Sequence, residues 1–242
     1  GPSTGEWAYQ LIVFLHGVGG MRMQSLFYTE HLASYGFVVI AGDHPGSTFV
    51  DMATATDAEK LLQSFALRPI EVLREIDFVE SLTAAGEIFD GIVDMERIAV
   101  TGHSFGGYTT AAAGGAQLNT TALRPICEDI GDGEGEVEEN QEVLCGLGDL
   151  ADLLATMRGL DAVPEGLWEP TTDPRIKAIV PLAPWVGIFD ETGFANVTVP
   201  TMIMVGSTDQ VTVPEENAYL MYEQIKSETK SLVVFENADH YI

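Results

Sequence analysis

The sequence has 242 residues, of which 46% are hydrophobic and 9% aromatic, so it can fill a full core and is not a disordered chain. No stretch reaches the roughly 18 consecutive apolar residues of a membrane span, and the first residues lack the basic and apolar regions of a secretory signal. With 11 Lys and Arg against 37 Asp and Glu, the net charge of −26 would repel nucleic acid. We interpret this charge as a solvated acidic surface, suited to high salt, rather than as a specific cation-binding surface.

Short apolar runs alternate with longer amphipathic segments along the chain. The runs are rich in Val and Ile, as buried parallel strands are, and lie at 11–15, 37–41, 97–102, 176–183, 201–206 and 231–236. Helical spacing occupies 24–35, 56–85, 105–117 and 214–227. The second helix should bend before Pro69, and its apolar stripe comprises Leu61, Leu62, Phe65, Leu67, Ile70, Leu73, Ile76 and Phe78. Repeating β–α units predict an α/β fold, a mostly parallel sheet flanked by helices, in one domain spanning 1–242.

Residues 118–172 interrupt this alternation and are predicted to form a cap or lid between two strands, where α/β folds build substrate pockets. A short helix is predicted over 147–160. Cys127 and Cys145 flank an acidic stretch that lacks the spacing of an EF-hand, so we interpret it as a solvated loop rather than a calcium site. The two thiols either form a disulfide, which would imply a secreted or periplasmic protein, or stay free, which would suit the cytoplasm.

The segment TGHSFGGYTT, 101–110, contains the pattern G-x-S-x-G at Gly102, Ser104 and Gly106. It follows a predicted strand and opens a helix rich in small residues, which is the context of a nucleophile elbow. Glycines on both sides let the chain turn sharply and expose the serine hydroxyl. This context favours a nucleophile over a serine that merely belongs to a turn, so Ser104 is the predicted nucleophile.

A serine hydroxyl needs a base, and His240 is the predicted one. It follows the last predicted strand, and the chain order Ser, Asp, His is the order that this fold uses. His31 falls within an amphipathic helix, where it is expected to be packed or solvated. His103 adjoins the serine, and its ring is expected to point into the structure that supports the turn.

The orienting acid is expected between the nucleophile and the base. Asp209 lies just beyond the strand predicted at 201–206, and its role would be to fix the imidazole tautomer and stabilise the imidazolium. Asp190 is the alternative acid. Asp239 is badly placed to bond the ring of its neighbour His240.

The loop HGVGG at 16–20 follows the first predicted strand, where this fold supplies part of an oxyanion hole. The predicted backbone donors are the N–H groups of Val18, in this loop, and of Phe105, after the nucleophile. Gly17 of the same loop and His44, which follows the second strand, are predicted to contact the substrate.

Together these residues resemble an α/β-hydrolase. The segments VFLHGVGG, LASYGFVVIAGDHPGS, LRPIEVLREIDF and GHSFGGYT are similar to bacterial platelet-activating-factor-acetylhydrolase-like and dienelactone-hydrolase-like esterases. The stretch 181–214 is similar to cutinase-like polyester hydrolases, which implies that Trp185 forms a wall of the substrate cleft. The resemblance covers most of the chain outside 118–172. It also implies strands before residue 11 and a helix after His240, so we expect a trimmed form of a longer protein.

The predicted function is a serine carboxylic-ester hydrolase that forms an acyl-enzyme and needs neither a metal nor an organic cofactor. The substrate is a small-molecule or polymeric ester, and the oligomeric state stays open. A cutinase-type polyester hydrolase is the first alternative, although such enzymes usually carry an aromatic residue at the position of Val18 and a methionine at that of Phe105. Dienelactone hydrolases use a cysteine where this chain has Ser104, so that activity is not expected. A non-catalytic binding protein on the same scaffold is the second alternative, but such proteins typically lack a triad member.

Overall fold

Six strands form one sheet in the computed structural model, which describes residues 8–54, 58–123 and 139–242. The strands are β1 (Tyr9–Leu15), β2 (Val38–Ala41), β3 (Val93–His103), β4 (Ile176–Leu182), β5 (Thr201–Gly206) and β6 (Lys230–Phe235). Every pair is parallel, in the order β2-β1-β3-β4-β5-β6. Each predicted apolar run thus forms a strand, and the predicted α/β fold is confirmed.

The strand order reverses beside β1, because β2 pairs with one side of it and β3 with the other. In open α/β sheets, such a point leaves a crevice outside the carboxyl ends of the strands. The register sets Phe14 of β1 opposite Ala41 of β2 and Thr101 of β3, so the loops that follow these strands emerge side by side. Two of these loops carry the predicted nucleophile and a predicted oxyanion donor.

Helices flank the sheet. They are α1 (Leu26–Ser34), α2 (Phe49–Thr54), α3 (Ala58–Leu82), α4 (Phe105–Ala113), α5 (Glu139–Asp149), α6 (Ala151–Met157) and α7 (Leu220–Gln224), the last preceded by a π-helical turn at Glu215–Tyr219. All nine residues of α4 are buried, since its glycines and alanines let it lie close to β3 and β4. In the described part of the chain, no helix combines the length and the apolar character needed to cross a membrane.

Helix α3 runs through Pro69 without interruption, where the sequence predicts a bend. Proline has no N–H for the carbonyl four residues earlier, which is that of Phe65. The Tyr108 hydroxyl donates to this carbonyl at 2.6 Å, so the lost helical hydrogen bond is replaced from α4. Phe65 and Ile76 of the predicted apolar stripe are buried, whereas Phe78, at the end of the same stripe, is 57% exposed and lies outside the core.

The described part of 118–172 contains α5 and α6, which adjoin at Leu150 and contact α3. Two helices therefore occur where the sequence predicts one over 147–160. Trp168 is fully buried, and its indole N–H donates to Thr120 Oγ1 at 3.2 Å. The role of this segment as a cap stays a prediction.

Cys145 lies in α5 and is disulfide-bonded. This agrees with the first of the two predicted alternatives, a disulfide rather than free thiols. Cys127 and most of the acidic stretch lie outside the described residues. The interpretation of this stretch as a solvated loop rather than a calcium site therefore stays a prediction.

Two glycines of the G-x-S-x-G pattern allow backbones to approach closely. A Cβ on Gly102 would lie 2.6 Å from the Gly106 carbonyl oxygen and 2.8 Å from Leu15 Cβ. A Cβ on Gly106 would collide with the carbonyl of Leu15 and lie 3.0 Å from that of His16. The end of β1 and the turn between β3 and α4 are therefore in direct backbone contact.

We predict that Gly106→Ala destabilises the protein, although alanine normally favours a helix over glycine by about 1 kcal/mol. The new methyl group would sit 2.8 Å from the Leu15 carbonyl carbon, and backbone cannot yield as a side chain does. We expect a loss of about 1–3 kcal/mol in the free energy of unfolding, measured by urea titration.

Gly187→Ala is the matched control, because its Cβ would come no closer than 3.8 Å to the nearest atom. It should stay within about 0.5 kcal/mol of the parent. Equal stability of both variants would contradict the role given to Gly106.

Candidate active site

A cavity of about 400 Å³ opens where the loops after β1, β3 and β6 meet. Its lining includes Gly17, Val18, Phe27, Ser104, His240 and Tyr241. Four of these were predicted from the sequence as nucleophile, base, oxyanion donor or substrate contact. The structure therefore brings together residues that are up to 223 positions apart, from Gly17 to His240.

Ser104 occupies a strained turn between β3 and α4. Its φ of 58° and ψ of −116° are unusual for a residue with a side chain, and such strain is concentrated at functional sites. Its carbonyl accepts hydrogen bonds from the N–H groups of Gly107 at 2.8 Å, Tyr108 at 3.2 Å and Trp185 at 3.2 Å. The Ser104 side chain does not cap the helix that it precedes, so the hydroxyl stays available to the cavity.

His240 is held by a buried carboxylate. Its Nδ1 donates to Asp209 Oδ2 at 2.8 Å, which leaves Nε2 as the acceptor nitrogen of a neutral ring. Asp209 is fully buried and also accepts from the N–H groups of Val211 at 2.8 Å and Thr212 at 2.9 Å. Burial alone would raise the pKa of Asp209, but the hydrogen bonds from His240, Thr212 and Val211 hold that pKa below its ordinary value. Asp209 is therefore ionised at neutral pH.

His103 contacts His240, the predicted base, through the His240 backbone carbonyl. Its Nε2 donates to the carbonyl of His240 at 2.7 Å, and its Nδ1 accepts from Gln24 Nε2 at 3.0 Å. Burial lowers the pKa of His103, so the ring stays neutral and can do both. The expectation that His103 points into the supporting structure agrees with these contacts.

Gln24 connects this support to the glycine-rich loop. Its Oε1 accepts from the N–H of Gly17 at 2.9 Å. The same side chain thus links Gly17 to His103. Gln24 belongs to no motif, so the sequence offered no signal for its position.

Hydrogen bonds to the Gly17 carbonyl fix the orientation of the Val18 N–H, because both groups belong to one peptide. The carbonyl of Gly17 accepts from His16 Nδ1 at 2.7 Å and from the N–H of Gly20 at 3.1 Å. In a trans peptide, the N–H points away from the carbonyl. Among the described residues, the Val18 N–H donates to no backbone carbonyl, and the residue lines the cavity. The Phe105 N–H likewise belongs to the same peptide as the Ser104 carbonyl and points away from it.

His44 does not line this cavity. It is buried in a second cleft, where its Nδ1 donates to Glu71 Oε2 at 2.8 Å. Its backbone N–H donates to His16 Nε2 at 3.0 Å, so the His16 ring lies between it and the glycine-rich loop. The structure therefore does not bring His44 to Ser104, because β1 separates β2 from β3.

The backbone of Trp185 is hydrogen-bonded to that of Ser104, the predicted nucleophile. Its N–H donates to the Ser104 carbonyl, and its half-buried ring meets the Phe65 ring edge-on at 5.5 Å. It is not among the residues that line the cavity. Its role as a cleft wall stays a prediction.

Asp190, the alternative acid, has hydrogen-bond partners other than His240 in the described part of the chain. Its carboxylate accepts from Asn119 Nδ2 at 2.6 Å and from the Thr192 hydroxyl at 2.5 Å. Asp239 accepts from the N–H of Tyr241 at 2.9 Å, as expected of a carboxylate that does not bond the neighbouring ring. Asp209 is therefore the carboxylate that contacts His240.

The second cleft contains a cluster of buried ionisable groups. Burial, followed by the nearby charge of Glu71, raises the pKa of Glu75 to about 8, whereas burial lowers that of His44 to about 2. Glu75 Oε2 and His44 Nε2 are buried without a hydrogen-bond partner in the described part of the chain. Across the same residues, no group of His, Cys, Asp and Glu side chains is arranged to hold a metal ion.

Two protein-family models match parts of the chain. Residues 165–242 match a model described as PET hydrolase-like, and residues 2–61 match one described as platelet-activating factor acetylhydrolase, isoform II. The first match includes Asp209 and His240, and the second includes the glycine-rich loop. Both are families of ester-hydrolysing enzymes with the α/β-hydrolase fold, in agreement with the parallel sheet. The predicted resemblance to this superfamily is confirmed.

We predict that Glu75→Gln flattens the pH dependence of stability. In the unfolded chain Glu75 loses its proton near 4.5, but in the folded protein only near 8, so stability falls as pH rises through this window. Glutamine has no proton to lose and keeps an acceptor for the Gly42 N–H. The free energy of unfolding, measured by urea titration at pH 5 to 8.5 in about half-unit steps, should fall more steeply for the parent than for the variant.

Glu87→Gln, at an exposed position after α3, is the control and should follow the parent curve. Parallel curves for the parent and Glu75→Gln would show that Glu75 titrates normally.

Proposed function

We propose, on the premise that the chain is an ester-hydrolysing α/β-hydrolase, that it is a serine carboxylesterase with the triad Ser104, His240 and Asp209. One observation carries this proposal. The buried carboxylate of Asp209 bonds Nδ1 of His240 at 2.8 Å, and the His240 ring lines the same cavity as Ser104. These contacts support the assignment of Ser104 as nucleophile, His240 as base and Asp209 as orienting acid.

Acylation begins when His240 Nε2 accepts the Ser104 proton and Oγ attacks the ester carbonyl carbon. The carbonyl electrons move onto oxygen, and the N–H groups of Val18 and Phe105 donate to this oxyanion. The tetrahedral intermediate collapses and the alkoxide leaves with the proton from His240. The ionised Asp209 stabilises the imidazolium while it exists.

Deacylation repeats these steps with water. His240 takes a proton from water, the hydroxide attacks the acyl carbon, and the same two N–H groups bind the second oxyanion. Collapse releases the carboxylic acid and returns the proton to Ser104. In this scheme every proton passes between Ser104, His240, water and the ester.

The oxyanion donors are supported by polarised peptides. The carbonyls of Gly17 and Ser104 accept two and three hydrogen bonds respectively. Hydrogen bonds to a carbonyl strengthen the N–H of the same peptide, because chained bonds polarise one another. Val18 and Phe105 are therefore suited to bind a developing negative charge.

The cavity favours esters with apolar groups. Val18, Phe27 and Tyr241 line it with side chains that are 47%, 71% and 81% exposed. Acyl or aromatic groups can cover these surfaces and gain hydrophobic energy. Gly17, where a Cβ would lie 3.2 Å from Ser104 Cβ, leaves room for the substrate beside the nucleophile.

A polyester is the second candidate substrate. The match of residues 165–242 to a PET hydrolase-like model supports it, and the exposed apolar side chains at the cavity can contact a polymer surface. Val18 and Phe105 depart from the residues that polyester hydrolases usually carry at these positions. We therefore propose soluble esters first.

Ser104→Ala tests the function. Turnover of p-nitrophenyl butyrate should fall by about 10⁴-fold or more, because the nucleophile is lost. Asp209→Asn should lower kcat by about 10³- to 10⁴-fold, since the imidazole would adopt the wrong tautomer. Both rates are compared with the parent after circular dichroism has verified folding.

Asp190→Asn is the matched control for the acid and should keep its rate within about threefold. If the parent turns over no faster than Ser104→Ala, the esterase proposal fails and the non-catalytic binding protein is favoured. If Asp190→Asn loses activity as Asp209→Asn should, the acid is misassigned.

Phe27→Ala separates polymeric from soluble substrates. Loss of the exposed ring should lower acid release from an insoluble polyester film by about fivefold, the equivalent of about 1 kcal/mol of apolar contact. Hydrolysis of p-nitrophenyl acetate should change by less than about twofold. Phe78→Ala, which removes an exposed ring in the other cleft, should affect neither. A parent that releases no acid from the film would exclude the polyester.

A further inference from the structure

Arg68 is a fully buried cation that the proposed chemistry does not use. It projects from α3 with 0% exposure. Among the described carboxylates, none lies within 4.0 Å of its guanidinium, although Glu71 and Glu75 act on it from further away. Burying a charge costs desolvation free energy unless polar or charged groups around it compensate.

Its hydrogen bonds go to the loops beside the glycine-rich segment. Nη2 donates to the carbonyl of His16 at 2.5 Å, and Nη1 lies 3.4 Å from Ser47 Oγ. The Ser47 carbonyl in turn accepts from the N–H of Gly19 at 2.8 Å. Arg68 thus acts on the peptides on either side of the one that carries the Val18 N–H.

Its third contact is with the other oxyanion donor. The guanidinium carbon lies 4.6 Å from the centre of the Phe105 ring, within the range of a cation–π interaction. The Phe65 ring packs against the same ring, with centroids 4.5 Å apart. One side chain therefore contacts both segments that supply oxyanion N–H groups.

The cation stays charged at neutral pH. Burial lowers the pKa of Arg68 to about 9, and the nearby carboxylate of Glu71 opposes that change. Glu71 is tied to His44, so its position is fixed. The planar fork of arginine serves two acceptors and a ring at once, which the single ammonium of lysine cannot do.

We propose that Arg68 is a positioning residue of the oxyanion hole, holding the 16–19 loop and Phe105 so that the N–H groups of Val18 and Phe105 converge on one point. The inference rests on the proposed esterase function. Arg68 does not touch the substrate; it acts through the His16 carbonyl, Ser47 and the Phe105 ring. Its loss should weaken binding of the transition state more than binding of the ester.

Arg68→Lys and Arg68→Met test this with a pair of substrates. Each variant is assayed on an oxo-ester and on the matching thiono-ester, whose sulfur is larger and a weaker acceptor. We expect kcat for the oxo-ester to fall by about 10- to 10³-fold, at most the loss caused by removing an oxyanion donor, while KM changes by less than about twofold. The parent's preference for the oxo-ester should shrink by a similar factor, because the thiono-ester gains less from the hole.

Arg74→Met is the matched control, since it makes the same substitution at an exposed position of the same helix. It should keep the oxo-to-thiono preference of the parent. Arg68→Met also leaves Glu71 without its cation, so the double variant Arg68→Met with Glu71→Gln is included to restore thermal stability. We expect the double variant to fold and still to have the reduced preference.

The outcomes separate the two proposals. A parent without Ser104-dependent turnover would defeat the esterase function itself. Folded Arg68 variants with parental kcat and parental preference would overturn the positioning role. A fall in kcat with unchanged preference would also overturn it, since the loss would then be structural.

Discussion

Direct contact between the end of β1 and the turn after β3 is the constraint on which the site depends. At Gly17 a Cβ would lie 3.2 Å from Ser104 Cβ, and at Gly106 it would strike the Leu15 carbonyl. Because both positions lack a side chain, the glycine-rich loop lies against the serine turn, and Val18 lines the same cavity as Ser104. The turn itself is strained by about 1–3 kcal/mol, which three hydrogen bonds to the Ser104 carbonyl and the buried α4 helix offset.

Neutral polar groups hold this arrangement. Burial keeps the His16 and His103 rings neutral by lowering their pKa values. A neutral ring has one donor and one acceptor nitrogen, so His16 can join Gly17 to the His44 N–H, and His103 can join Gln24 to the His240 carbonyl. Because Gln24 also accepts from the Gly17 N–H, the glycine-rich loop and the loop of His240 are parts of one hydrogen-bond network.

Sequence patterns predicted the strands and the turn at Ser104, but not which side chains from distant segments meet at the site. The apolar runs predicted the strands, and the glycines around Ser104 predicted the turn, because each of these structures depends on residues that are neighbours in sequence. His44 was assigned to the substrate because it follows a strand, but whether such a residue reaches Ser104 depends on strand order, and β1 intervenes. Arg68 and Gln24 went unnoticed for a related reason. A charged or amide side chain on an amphipathic helix or loop looks solvated until tertiary packing covers it.

Surface charges and the buried cation Arg68 differ in how strongly they can act on the cavity. The chain has a net charge of −26, and a field of that sign opposes an oxyanion. Surface carboxylates are screened within a Debye length of about 8 Å at physiological salt, so their effect on the cavity fades with distance. A buried charge is screened much less, and Arg68 is a buried cation against the Phe105 ring. Loss of a surface charge should therefore disturb the proposed oxyanion hole less than loss of Arg68, which contacts the Phe105 ring directly.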